Sequence, residues 1–396
     1  MKIKKILILL IIIYIFFSDI MSSLLQFTLL KTIISLLVVL LFSLYVFLNI
    51  RKLKHTRFIF MPLFFITIYL IIWPQIGYLN LFYTIIFGWI LAQDFKFSKK
   101  VIKLTFLVQF LLILYERVTS TIIYETLISG VINSNKFDYT KSYNLFEITG
   151  FRPKGLFPGT LVATSFIIYL VMIYRNNIKM LIGLFVLALL TNGRLALIIS
   201  GLTLVFKVFK KYDILIINKK LSNIKKSFLL MIPLAFIFLL AFFLLPKLII
   251  NNYLDSFDFT STANAGRIYA YFQSVLLFID YDFMQKLFGS PNNEVFDVYD
   301  RVVASESGFL SMLLDIGVIG LLFYLYYFYK SWLSDNKPLF NFKSKHIGFK
   351  FVVLMTFLSF IQYEHINGNV RGTLLWFIII SHTFMNKNIK FNNIEH

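Results

Sequence analysis

The 396-residue sequence contains no cysteine, which excludes disulfides and thiolate metal or redox chemistry. Charge is scarce: 15% of the residues are Asp, Glu, Lys or Arg, against roughly 25% in average soluble proteins. Acidic charge is scarcer still, with 19 Asp and Glu against 39 Lys and Arg. There is no CxxC, no phosphate-cradling glycine-rich loop, no defensible Ser-His-Asp order and no His/Asp/Glu grouping with metal-ligand spacing. The expectation is therefore no cofactor and no metal. Period-two alternation is also missing, and runs such as "ILILLIII" exclude a membrane β-barrel. Neither an internal repeat nor a soluble domain stands out.

What the sequence has is apolar length. Runs near the roughly 20 residues a bilayer requires recur from Ile6 to Met385, each closed by a basic cluster or a polar turn. They predict an all-α polytopic membrane protein, a single membrane domain over 1–396 with about twelve spans: 5–21, 28–49, 58–73, 78–93, 101–118, 160–175, 178–191, 195–209, 228–250, 308–330, 348–364 and 372–386. The N-terminal "MKIKKILILLIIIYIFF" has the charge and apolar length of a signal peptide but no small-residue cleavage site. It is read as a retained first helix.

With both termini inside, the inner segments hold 27 of the 39 Lys and Arg but only 4 of the 19 acids, a net +23 against −3 elsewhere. That separation follows the positive-inside rule, so the overall charge of +20 implies a cytoplasmic membrane and no nucleic acid. Two outer segments, 119–159 and 251–307, are too long for simple turns. Loops of more than roughly 15 residues tend to be functional, which makes these the place to look for chemistry.

The two cations are not distributed alike. Inside there are 3 Arg (Arg51, Arg57, Arg175) among 27 basic residues; elsewhere there are 6 (Arg117, Arg152, Arg194, Arg267, Arg301, Arg371) among 12. A topology signal is indifferent to which cation it uses. Arginine's planar fork binds phosphate or carboxylate bidentately and tolerates partial burial. The outer arginines therefore either pair with outer acids or converge on an anionic headgroup at the outer surface.

Three stretches fit convergence. In "GFRPKGLFPGT" two prolines and three glycines bend the backbone just before a span, with Arg152 and Lys154 projecting on the side that usually sheds positive charge. In "LALLTNGRLALII" the turn Thr191-Asn192-Gly193 opens a helix with Arg194 in its first turn, adding charge to an N-terminus that already favours anions. "STANAGRIYAYFQSVLLFIDYDFMQKLFGSPNN" reads as one amphipathic helix on the membrane surface, with Arg267 at its start and Gly289-Ser290-Pro291 ending it.

For proton transfer, His365 in "QYEHINGNVRG" is the histidine on the outer side, beside Glu364 and six residues before Arg371. Glu306 stands at the mouth of the span that begins "SESGFL", and Asp315 two turns deeper, where it either acts or binds a neighbouring helix. His382 is mid-span and expected to be a core hydrogen bonder.

Taken in order, "RPKGLFPGTLVATSF", "LLTNGRLALIISGL" and "AGRIYAYFQSVLLFI…KLFGS…ESGFLSMLLDIGVIGLLFYL" resemble the O-antigen polymerase and ligase superfamily of bacterial polysaccharide assembly. Gly193 replaces the serine of the family's "T-x-S-R" turn. The resemblance covers most of residues 110–330. It implies a GT-C-type glycosyltransferase that joins undecaprenyl-pyrophosphate-linked oligosaccharides at the outer face of the cytoplasmic membrane. It also implies a chain-length regulator and a flippase as partners, and Arg152, Arg194 and Arg267 facing the pyrophosphate. The ligase branch carries a His before Asn where this chain reads "SESGFL", a departure that favours a polymerase and leaves Glu306 and His365 as alternative bases. A lipid-linked sugar transferase of the ligase kind, or a flippase, is the rival reading.

Overall fold

The computed structural model describes residues 2–24, 57–72, 76–119, 123, 155, 157, 160–191, 193–211, 262–290, 295–296, 302–303, 307–334, 347–360 and 369–383. They form twelve helices: α1 (Lys2–Leu24), α2 (Arg57–Ile72), α3 (Ile76–Gln93), α4 (Phe95–Thr119), α5 (Thr160–Ile173), α6 (Ile178–Leu190), α7 (Arg194–Lys211), α8 (Thr262–Asp280), α9 (Phe283–Phe288), α10 (Gly308–Ser334), α11 (Phe349–Ser359) and α12 (Asn369–Thr383). One antiparallel pair, β1 (Val295–Phe296) and β2 (Val302–Val303), sets Val295 opposite Val303. Ten of the twelve expected spans coincide with a helix; spans 28–49 and 228–250 lie outside the described residues. The other two helices, α8 and α9, stand with the strand pair in the expected outer segment 251–307. By length and composition α10 is, among the described residues, the helix able to cross a membrane.

Three helices form the centre. Ala163 to Ile173 of α5, Thr84 to Ala92 of α3 and Gly372 to Thr383 of α12 are buried on every side, as helices apolar all round must be. The approach of α3 to α12 is set by Gly88, where a Cβ would stand 2.5 Å from Trp376 Cβ. Small residues let helix backbones meet this closely and gain packing along their length. Trp376 then reaches the rings of Tyr324 and Tyr327 on α10 at 5.6 and 5.0 Å.

Around this centre α4 is built inside out. Its buried face carries Ser98, Thr105, Gln109 and Glu116 together with Ile102, Phe106 and Ile113. Its opposite face exposes Leu104, Leu107, Val108, Leu111, Tyr115 and Val118, the last 77% accessible. A helix on a water-soluble bundle turns its polar residues outward; here an apolar stripe faces out, and the buried Ser98, Thr105 and Glu116 make hydrogen bonds within the protein.

Contacts between elements sort the helix ends into two groups. At one end Lys4 Nζ lies 3.4 Å from the Asp94 carboxylate, and the Tyr174 hydroxyl donates to the Lys99 carbonyl. There too Asn176 accepts from the Ile347 N–H at 2.7 Å, and Ser331 meets Thr383 at 2.7 Å. These residues come from the ends predicted to be inner. At the opposite ends Glu116 meets Gly155 and Gly193 meets Thr164.

Two expectations are corrected. Span 308–330 was expected to be continuous, but α10 breaks at Gly317, whose φ of 64° and ψ of −170° lie outside the helical region. The freed carbonyls are satisfied from other elements: Ser290 N–H donates to Leu314 O at 2.7 Å, and the Tyr69 hydroxyl donates to Ile316 O. Likewise the expected single amphipathic helix is two. Asp282 caps α9 by accepting from Gln285 N–H at 2.8 Å, while the Gln285 side chain accepts from Asp282 N–H at 3.1 Å. This reciprocal capping box starts a new helix after α8 ends. Because α8 begins at Thr262, Arg267 stands in its second turn rather than at its start.

Candidate functional site

The end opposite Lys99 is organised by α5. Just ahead of it, Gly155 forms a turn with φ 60°, a conformation that favours glycine. A Cβ there would collide with Gln109 Oε1 and lie 3.2 Å from Ile113 Cγ1, so the turn is seated directly on α4. Glu116, fully buried on the same face, accepts the Gly155 N–H at 2.8 Å and the Ile123 N–H at 2.9 Å. Two residues on, Phe157 is 1% exposed and packs on the rings of Phe166 at 5.2 Å and Phe16 at 6.1 Å. The bend expected in "GFRPKGLFPGT" is thus fixed to α4, α1 and α5 at Gly155 and Phe157. Arg152 and Lys154 themselves lie outside the described residues.

The second arginine-bearing turn meets α5 one helical turn further along. Thr191 closes α6, its hydroxyl donating to the carbonyls of Leu187 at 3.1 Å and Ala188 at 3.2 Å. Gly193 N–H returns to Ala188 O at 3.1 Å. A Cβ on Gly193 would stand 2.8 Å from Thr164 Oγ1 of α5, so this turn is seated closely against α5. α7 then begins at Arg194, as expected.

A third arginine reaches α5 deeper. Arg371, in the first turn of α12 and half-buried, lies within electrostatic range of Tyr169 on α5, whose other such neighbour is Tyr324 on α10. Along α5, Thr164 and Tyr169 are about 7.5 Å apart at roughly 1.5 Å per residue. The segment carrying Lys154 thus docks on α4 through Gly155, that carrying Arg194 on the first turns of α5 through Gly193, and that carrying Arg371 along α5 through the packing of α12. Convergent cations joined by helix N-termini can hold a polyanion.

The fourth candidate sits on a separate arm. Arg267 belongs to α8, which packs on α10 through Ala270, Tyr281 and Leu314. The arm leaves Phe272, Val275, Leu276, Ile279, Phe283 and Met284 exposed, the apolar face expected of a surface-lying helix. Arg301, Glu306 and His365 lie outside the described residues. Asp315 is placed two turns into α10, just before the break, and accepts from Ser311 Oγ at 3.0 Å. Among the described residues no three His, Asp or Glu gather around one point.

Two features were missed in the sequence. Glu116 had no local signal, because its partners come from 7 and 39 residues away. The capping box did have one, "DFMQ", with the acid and the glutamine three apart. His382, expected mid-span, lies near the end of α12, stacked on Phe349 at 4.5 Å and edge-on to Phe95 at 5.6 Å.

Set against known protein families, curated proteins and solved structures, the chain matches none of them.

Proposed function

We propose that the chain is a multi-pass protein of the bacterial cytoplasmic membrane, both termini cytoplasmic, that polymerises undecaprenyl-pyrophosphate-linked oligosaccharide units on the outer face. The observation that carries this reading is the docking of three cation-bearing segments on the α4–α5 pair: Gly155 on Glu116 of α4, Gly193 on Thr164 of α5, and α12, which carries Arg371 in its first turn, along α5. The inside-out α4 and the exposed apolar face of α8–α9 support the membrane setting.

In the reaction, a hydroxyl at the non-reducing end of the incoming lipid-linked unit attacks the anomeric carbon that joins the growing chain to its lipid. The new C–O bond forms as the bond to pyrophosphate breaks, and undecaprenyl pyrophosphate leaves with the electron pair. The hydroxyl proton passes to a base, for which Glu306 and His365 are the candidates. Charge accumulates on the departing pyrophosphate, and fixed arginines lower the barrier by meeting it where it develops. Arg152, Lys154, Arg194, Arg267, Arg301 and Arg371 are the proposed binding set, with no metal or cofactor in the step.

The break in α10 is the one feature that speaks for a flippase, since transporters place broken helices at mid-membrane. The carbonyls freed here are taken by Ser290 and Tyr69, which leaves them engaged within the protein rather than offered to an ion. Deletion of the gene followed by a polysaccharide gel separates the readings. Single repeats on the acceptor are expected. A bare acceptor with lipid-linked chains accumulating would favour a ligase, and units trapped on the inner leaflet a flippase.

A further inference from the structure

We infer that Glu116 is a positioning residue whose carboxylate clamps, through two backbone N–H groups, both ends of the segment that carries Arg152 and Lys154. One oxygen takes the N–H of Ile123, 7 residues after Glu116, at 2.9 Å; the other takes the N–H of Gly155, 39 residues after it, at 2.8 Å. Glu116 is 0% exposed, so both bonds are shielded from water. Burying a carboxyl group is costly unless its oxygens are satisfied, and here each oxygen takes a backbone N–H, one from Ile123 and one from Gly155.

The geometry is specific to this pairing. Gly155 presents its N–H from a positive-φ turn with no room for a side chain between it and Gln109. Phe157 anchors the far side of the turn among Phe16 and Phe166. Lys154 is bonded directly to Gly155 and Arg152 stands two residues before Lys154, so Gly155 is the described residue nearest to both cations in the sequence. Loop-closure cost falls for the whole segment when its ends are held together. Glu116 thus acts through other residues and touches no reacting atom.

The ligand side of this inference rests on the proposed function; the clamp itself does not, and the test separates them. The full chain is reconstituted in nanodiscs, amide hydrogen exchange is followed across 119–159, and undecaprenyl pyrophosphate is titrated in. In the wild type the Ile123 and Gly155 amides are expected to exchange at least 100-fold more slowly than unprotected amides. Glu116→Gln offers one carbonyl oxygen and turns an NH2 toward the second donor. It should speed exchange at one or both amides at least tenfold and weaken binding about tenfold, with α5 still protected. Glu116→Asp should recover part of the binding. Gly155→Ala should release its own amide and weaken binding similarly while Ile123 stays protected.

Fast exchange at both amides in the wild type overturns the clamp without reference to any variant. Unchanged binding in Glu116→Gln despite a released amide overturns the positioning role, and loss of α5 protection in that variant reassigns Glu116 to folding. Failure of the wild type to bind undecaprenyl pyrophosphate sinks the proposed ligand, while the exchange data still decide the clamp.

Discussion

The two ends of the helix bundle use their polar residues in opposite ways. At the Lys99 end, cations are consumed by the structure itself. The Lys99 ammonium lies over the rings of Tyr174 and Phe95 at 5.0 and 5.9 Å. Arg175, only 8% exposed, donates to the carbonyls of Ile347 and Met172, both at 3.1 Å. At the Gly155 end the fixed points are backbone atoms, held by a carboxylate and by glycine contacts, and cationic residues stand next to them in sequence. Counting cations by side therefore misjudges them individually. Arg175, read as part of a topology signal, is a structural arginine that joins the start of α11 to the end of α5.

The sharpest way to break this comparison is to disturb the backbone contact between α9 and α10, held like the Gly155 turn by glycines. A Cβ on Gly317 would lie 2.5 Å from Gly289 N, and one on Gly289 would lie 2.5 Å from Ile316 N, with φ positive at both. Gly317→Ala and Gly289→Ala should each cost roughly 3 kcal/mol or more, because a strained φ and a backbone overlap coincide. Gly183 is the control: its Cβ would meet the Phe106 ring at 3.2 Å, and a ring can shift. Gly183→Ala should stay within about 1 kcal/mol. Thermal unfolding of the purified protein checks the three, and equal losses would dissolve the distinction.

Next in size comes the exchange of arginine for lysine. Arg194→Lys and Arg267→Lys should lower turnover about 100-fold, near 2.7 kcal/mol, if their forks meet the pyrophosphate in the transition state. Arg51→Lys should leave turnover unchanged. Arg175→Lys is the informative fourth variant, since lysine cannot reproduce two guanidinium bonds from one plane. It should cost about 1–2 kcal/mol of stability with turnover per folded molecule intact. If Arg175→Lys also abolished turnover, the proposed division of labour between the ends would be wrong.

Helix positions were legible wherever apolar length decides them. α3, α7 and α12 begin and end within three residues of the expected spans. The break in α10 was not, since "DIGVIG" reads as continuous apolar helix and only the docking of Ser290 and Tyr69 onto its carbonyls makes interruption tolerable. The candidate site was legible as residue types and less so as attachments. The Gly and Pro of "GFRPKGLFPGT" announced a bend, but its anchor, Glu116, is a long-range partner that no local pattern reveals. Among the candidate cations, Arg371 stands in the first turn of α12, a helix that packs on α3, α5 and α10.

The smallest expected effect tests the Lys99 end from within. Ser331 and Thr383 share a 2.7 Å hydrogen bond between α10 and α12, and Ser331 is fully buried. Interhelical hydrogen bonds among apolar helices average only about 0.6 kcal/mol by double-mutant cycle, because the separated helices find other partners. Thr383 is the last described residue of α12, and Arg175 and His382 pack nearby through Ile347 and Phe349, so other contacts remain to hold the join when this one is removed. A cycle of Ser331→Ala and Thr383→Val followed by thermal unfolding should therefore return a coupling of about 0.6 kcal/mol and no change in turnover. A coupling of about 3 kcal/mol would mean that this end, too, depends on single contacts, and that the glycine and carboxylate anchors at the opposite end are no more decisive than the contacts here.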